Sequence, residues 1–93
     1  MIVAISRFKA SGPEAAELEK LFKARARRVD GHRGFLGLEV LRSIGRESTF
    51  TLITRWTDRD SLRAYMRSED FAVAHRGRIE ASAEFSICEV VTT

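Results

Sequence analysis

The chain has 93 residues, enough for one domain, and a domain of this size buries only about 60–65% of its unfolded surface. Its 44% apolar and 31% charged content excludes a disordered polymer, and 16 basic against 13 acidic residues leave a net charge of only +3. No block of five like charges and no basic stripe interleaved with aromatics argues for a nucleic-acid partner, and no apolar run nears the ~18 residues of a membrane span. Met1 leads straight into a strand pattern rather than a secretory leader, so the expected compartment is the cytoplasm. Cys88 lacks a second cysteine for an internal disulfide, and its late apolar strand makes it read as a small core residue.

Ile2 to Lys9 alternates and is rich in β-branched residues and Phe, which predicts a strand. Ser11-Gly12-Pro13 predicts a helix start, with Glu14 and Glu17 complementing the dipole. That helix is expected to run to about Val29 and to bury Leu18, Leu21, Phe22 and Val29. Asp30-Gly31-His32-Arg33-Gly34 stops it. Phe35 to Arg42 and Ser48 to Trp56 read as strands, and Ile44-Gly45-Arg46-Glu47 between them reads as a hairpin. Asp58 or Thr57 caps a helix with Leu62, Tyr65 and Met66 on one face. Ser68 starts another short helix ending near Arg78. Glu84 to Thr92 reads as the last strand.

The order β-α-β-β-α-β predicts one α+β domain spanning residues 1–93, a ferredoxin-like arrangement with a four-stranded antiparallel sheet. Two helices cover one face of such a sheet. The other face should then be polar in a monomer. Alternation instead puts Val3 and Ile5 opposite Ile2, Ala4 and Phe8. It puts Ile53 opposite Phe50, Leu52 and Trp56, and Leu36, Leu38 and Val40 opposite Phe35 and Leu41. With apolar residues on both faces, a second copy of the sheet is the simplest cover, so a homodimer is expected.

Walker loops, dinucleotide fingerprints, zinc-spaced Cys/His sets and nucleophile elbows are absent. His75 shares a helical face with Phe71 and Arg78, where a lone histidine reads as structural. His32 lies in a Gly-rich turn and reads as solvent-exposed. Tyr65 is either core or a pocket residue whose hydroxyl needs a partner. Ser6 interrupts an apolar strand and faces either a packed neighbour or a pocket. Trp56 reads as packing. Arg25, Arg27 and Arg28 form the densest basic group. Arg25 can pair with surface acids such as Glu19 or reach an anionic ligand.

Three segments carry a resemblance: Arg33-Gly34-Phe35-Leu36-Gly37, Thr54-Arg55-Trp56-Thr57-Asp58 and Phe71-Ala72-Val73-Ala74-His75. Together they resemble the antibiotic biosynthesis monooxygenase superfamily, and among its members the small bacterial haem-degrading monooxygenases. The resemblance spans Ile2 to Val91 and implies a dimeric α+β barrel. It implies that His75 ligates haem iron, with haem as both cofactor and substrate, O2 bound opposite and an external electron donor. Ser6 and Tyr65 stand where the haem-degrading members carry an asparagine and a tryptophan, and with His75 they form the implied catalytic set. Phe71 would line the haem, and Arg25, Arg76 and Arg78 would hold its propionates. The resemblance also admits a cofactor-independent oxygenase of a phenolic or quinol aromatic, with His75 as base. The departures at Ser6 and Tyr65 admit a third reading, a dimeric ligand-binding domain without turnover.

Overall fold

The computed structural model describes residues 1–10, 12–24, 28–45, 49–71 and 83–93. Strand β1 (Ile2–Lys9) leads into helix α1 (Pro13–Lys23), followed by a short 3-10 turn (Arg28–Gly31). Strands β2 (Phe35–Arg42) and β3 (Thr49–Trp56), helix α2 (Arg59–Met66) and strand β4 (Ala83–Glu89) complete the order. The sheet is antiparallel, in the order β2-β3-β1-β4, which is the ferredoxin-like α+β arrangement. Among the described residues, no helix is long and apolar enough to cross a membrane.

Alternation along β1 sends Ile2, Ala4 and Phe8 under the helices, where all three are buried. Directly opposite them on β3 lie Trp56, Thr54 and Phe50, on the same face. Two core clusters result. One joins Ile2, Ala4, Val29, Trp56 and Leu62, the last contributed by α2. The other joins Phe8, Ala10, Leu18 and Phe50, with Leu18 contributed by α1. Trp56 is fully buried, in line with its reading as packing.

Several expectations are corrected. Helix α1 ends at Lys23, not near Val29: Ala24 leaves helical geometry while its N–H still bonds the Lys20 carbonyl. Leu18 and Val29 belong to different clusters. Leu21, expected in the buried stripe, is 44% exposed. In β2 the register shifts between Phe35 and Gly37. This bulge makes Leu36 an extra residue and brings Phe35 to the same face as Leu38 and Val40, beneath the helices. Strand β4 stops at Glu89, and the Val90 N–H bonds the Met1 carbonyl. Cys88 is exposed rather than core, because it pairs with Val3 on the helix-free side of an edge strand.

That helix-free side is more mixed than simple alternation suggests. Val3, Ile5 and Ile53 form a partly buried apolar strip, and Leu41 is exposed beside it. Around them stand Arg7, Lys9 and Thr51, with an Arg55–Glu39 ion pair crossing from β3 to β2.

Candidate functional site

The site begins with a close approach of backbone. Gly34 has φ +81°, a conformation that suits glycine, and a Cβ there would collide with the Ser61 side chain. The Thr57 N–H bonds the Gly34 carbonyl at 2.9 Å, so the turn before β2 docks on the start of α2. Asp58 caps α2, its Oδ1 accepting from the Ser61 N–H at 2.8 Å. That bond, with the Ser61 and Thr57 hydroxyls and the Arg33 guanidinium, holds the Asp58 carboxyl below its usual range.

One turn on, α2 delivers Tyr65 into a box of rings. Trp56 stacks on it at 5.2 Å and 27°. His32 meets it edge-on at 4.9 Å and 74°, and Phe71 does so at 5.4 Å and 89°. Phe35 packs against the far side of Trp56 at 5.4 Å. Such offset and edge geometries are the favoured ones for aromatic pairs. The Trp56 Nε1–H donates to Thr54 Oγ1 at 3.0 Å, so the buried indole is satisfied.

His32 was expected in solvent. Its side chain is instead only 22% exposed, and Nε2 lies 2.8 Å from Asp70 Oδ2. Sequence reasoning passed over this pair because 38 positions separate its members. The turn and the end of α2 meet only in the fold. Asp70 sits on a helical turn at residues 69–71 that Ser68 begins: the Phe71 N–H donates to Ser68 Oγ, and Ser68 Oγ donates to the Tyr65 carbonyl.

Ser6 lies between the two core clusters on the helix-covered face, two residues from Ala4 and two from Phe8. Its neighbours across the ladder are Leu52 and Phe85, and Ala4 pairs with Ile87. Phe85 and Ile87 are 51% and 50% exposed although they share the helix-covered face. Ser6 thus stands at the edge of an apolar floor that the described helices leave half open. Ala4 ties this floor to the cluster on which Tyr65 packs, about 7 Å from Ser6 along the strand. Of the residues nominated from sequence, Ser6, Tyr65 and Phe71 therefore fall on one face of the sheet. Arg25, His75, Arg76 and Arg78 lie outside the described residues.

A separate cleft of about 170 Å³ lies between α1 and the β2–β3 ladder, lined by Glu19, Phe22, Lys23, Val40, Arg42 and Phe50. Arg42 bonds Glu19 across it at 2.6 Å. It holds none of the residues nominated from sequence.

The model of the family described as "Antibiotic biosynthesis monooxygenase" matches residues 1–77. The chain belongs to this family. The "Heme oxygenase (mycobilin-producing)" of Mycobacterium tuberculosis is 32% identical over 76 residues, covering 82% of this chain and 71% of that protein. Among solved structures, the heme-degrader MhuD from M. tuberculosis, with two hemes in its active site, superposes with a TM-score of 0.81 at 28% identity, covering 100% of this chain and 98% of that one. SnoaB, a cofactor-independent oxygenase from Streptomyces nogalater, superposes at 0.79 with 25% identity, covering 99% and 94%. The family's relatives thus include both a haem-degrading and a cofactor-independent oxygenase.

Proposed function

We propose that this chain is a haem-binding, haem-degrading monooxygenase that uses O2 and an external electron donor and works as a cytoplasmic homodimer. The observation that carries the reading is the half-open floor of Phe85 and Ile87 beside Ser6, on the face that helices otherwise cover. A flat, largely apolar ring system fits such a floor, because it removes Phe85 and Ile87 from water. Sequence similarity to the mycobacterial haem oxygenase supports haem as that ring system.

Bound haem would supply the iron that activates O2 and the porphyrin that is oxidised. The chain's own residues would hold and orient it. His75 would ligate through a neutral imidazole nitrogen. Ser6 would offer its hydroxyl as a hydrogen-bond donor to the bound group. Tyr65 and Phe71 would form the aromatic wall, and Arg25, Arg76 and Arg78 would pair with the propionates. The second copy would cover the Val3–Ile5–Ile53 strip, on which no described helix packs.

A second reading is favoured by Ser6 itself. A hydroxyl in an apolar floor bonds a phenolic oxygen well, so a cofactor-independent oxygenase of a phenolic or quinol aromatic, with His75 as base, fits the same floor.

Haemin titration followed by reductant under O2 tests the readings. A Soret shift followed by loss of haem is the expected outcome. A shift without loss would reduce the protein to a binding module, and no shift would leave the quinol reading. Sedimentation of the same sample should give twice the chain mass, and Ile53→Arg should give monomer or aggregate. A wild type that sediments as a monomer would remove the homodimer.

A further inference from the structure

We infer that His32 and Asp70 act as a positioning pair that sets the orientation of Tyr65 in the aromatic wall of the ligand site. The inference rests on the proposed use of that face for a flat ring ligand, and it assigns a role to two residues outside the set nominated from sequence.

Tyr65 is constrained at both its backbone and its ring. Its carbonyl accepts from both the Ser68 N–H at 2.9 Å and the Ser68 hydroxyl at 2.6 Å, which fixes the end of α2. Its ring lies on Trp56, with His32 and Phe71 each set edge-on to it. Trp56 is fully buried, so its ring is held by close packing. The two edges come from segments remote in sequence, the turn before β2 and the helical turn after α2. The bond between His32 Nε2 and Asp70 Oδ2 joins those segments.

Both ends of that bond are themselves fixed. The His32 N–H bonds the Val29 carbonyl at 3.0 Å, and the His32 carbonyl accepts from Phe35 at 3.2 Å. Phe71, next to Asp70, is pinned through Ser68 Oγ. A hydrogen bond between a half-buried imidazole and a carboxylate in this setting is short, directional and stronger than its exposed counterpart. It therefore defines where the two edges sit and, between them, the tilt of the Tyr65 ring. A ring ligand entering over Phe85 and Ile87 would meet that ring already oriented, which lowers the ordering cost of binding. His32 and Asp70 thus work through Tyr65 and need not touch the ligand.

Metal-free protoporphyrin IX separates this role from iron ligation, because it reads the shape of the wall alone. The chain holds one Trp and one Tyr, so Trp56 fluorescence quenching reports binding and the near-ultraviolet circular dichroism reports the Trp56–Tyr65 pair. His32→Ala and Asp70→Ala should each raise the Kd for protoporphyrin IX by about tenfold, the scale of one lost charge-assisted hydrogen bond. The double variant should add little more, and both singles should change the near-ultraviolet band alike. His32→Gln, whose amide can still donate to Asp70, should restore most of the affinity and the band. Additive effects in the double variant would overturn the inference. So would loss of thermal stability with unchanged Kd, because that marks a mere staple. If the alanine variants do not fold, His32→Phe, which keeps a ring edge but cannot donate, and Asp70→Asn, which removes the carboxylate charge, carry the same comparison. If wild type binds neither haemin nor protoporphyrin IX, the haem reading fails on its own account. The pair is then judged on the band: a band unchanged in both singles overturns it, and a matched change upholds it.

Discussion

The two ends of the helix-covered face are made from the same strands and behave differently. At one end Phe8, Phe22 and Phe50 meet as tilted rings 5.9 Å apart, with Leu18 closing over them. At the other, Trp56 and Leu62 form an equally tight cluster that also gathers Tyr65, His32 and Asp70. The first end is covered by α1 and carries an open cleft spanned by Glu19 and Arg42. The second lies where a glycine turn, a helix start and a helical turn converge, and loops bring in polar groups that strands alone would not. In a small sheet, connecting segments can thus gather aromatic and polar groups at one end that the strands alone would not bring together.

Paired truncations give the strongest test of that division. Trp56→Ala should cost about 3–5 kcal/mol, a large share of the ~5–15 kcal/mol available to a domain, and Leu18→Ala about 2–5 kcal/mol, both read by urea unfolding. Only the Trp56 end should affect ligand binding. Porphyrin affinity of the folded protein should be kept in Leu18→Ala and lost in the milder Trp56→Phe. Equal loss in both would merge the two ends into one.

Next in size is the docking of the turn. Gly34→Ala combines a positive φ with a collision at Ser61 and should cost about 2–4 kcal/mol. Gly12→Ala also places a side chain at positive φ, +58°, but meets nothing within 4 Å, so about 1–2 kcal/mol is expected. Thermal melts of the two variants should rank in that order. The reverse ranking would mean that the turn does not bear on α2.

The smallest effect concerns the cap of α2. The Asp58 carboxyl is held below its ordinary pKa of 3.8 when folded. Its contribution is therefore complete above that value and fades as the pH drops through the lower folded value. Asp58→Asn keeps an accepting oxygen for the Ser61 N–H but cannot titrate. Its stability should fall less steeply than wild type below about pH 4. Parallel acid-unfolding curves would show that the cap's charge is immaterial.

The sequence by itself determined the elements and their order. Alternation in Ile2–Lys9, Phe35–Arg42 and Thr49–Trp56 is a local property, and so are Pro13 at a helix start and Asp58 before one. Ser6, Tyr65 and Phe71 were legible as candidates because family resemblance works on aligned single positions. Tertiary structure alone decided the rest. The extra residue at Leu36 moved Phe35 across the sheet, since a register shift depends on the partner strand and not on the strand's own pattern. An edge position put Cys88 in solvent, where hydropathy had placed it in the core. His32 left solvent for Asp70 because the turn before β2 folds onto α2 through Gly34. A bond across 38 residues leaves no periodic trace in the chain that makes it.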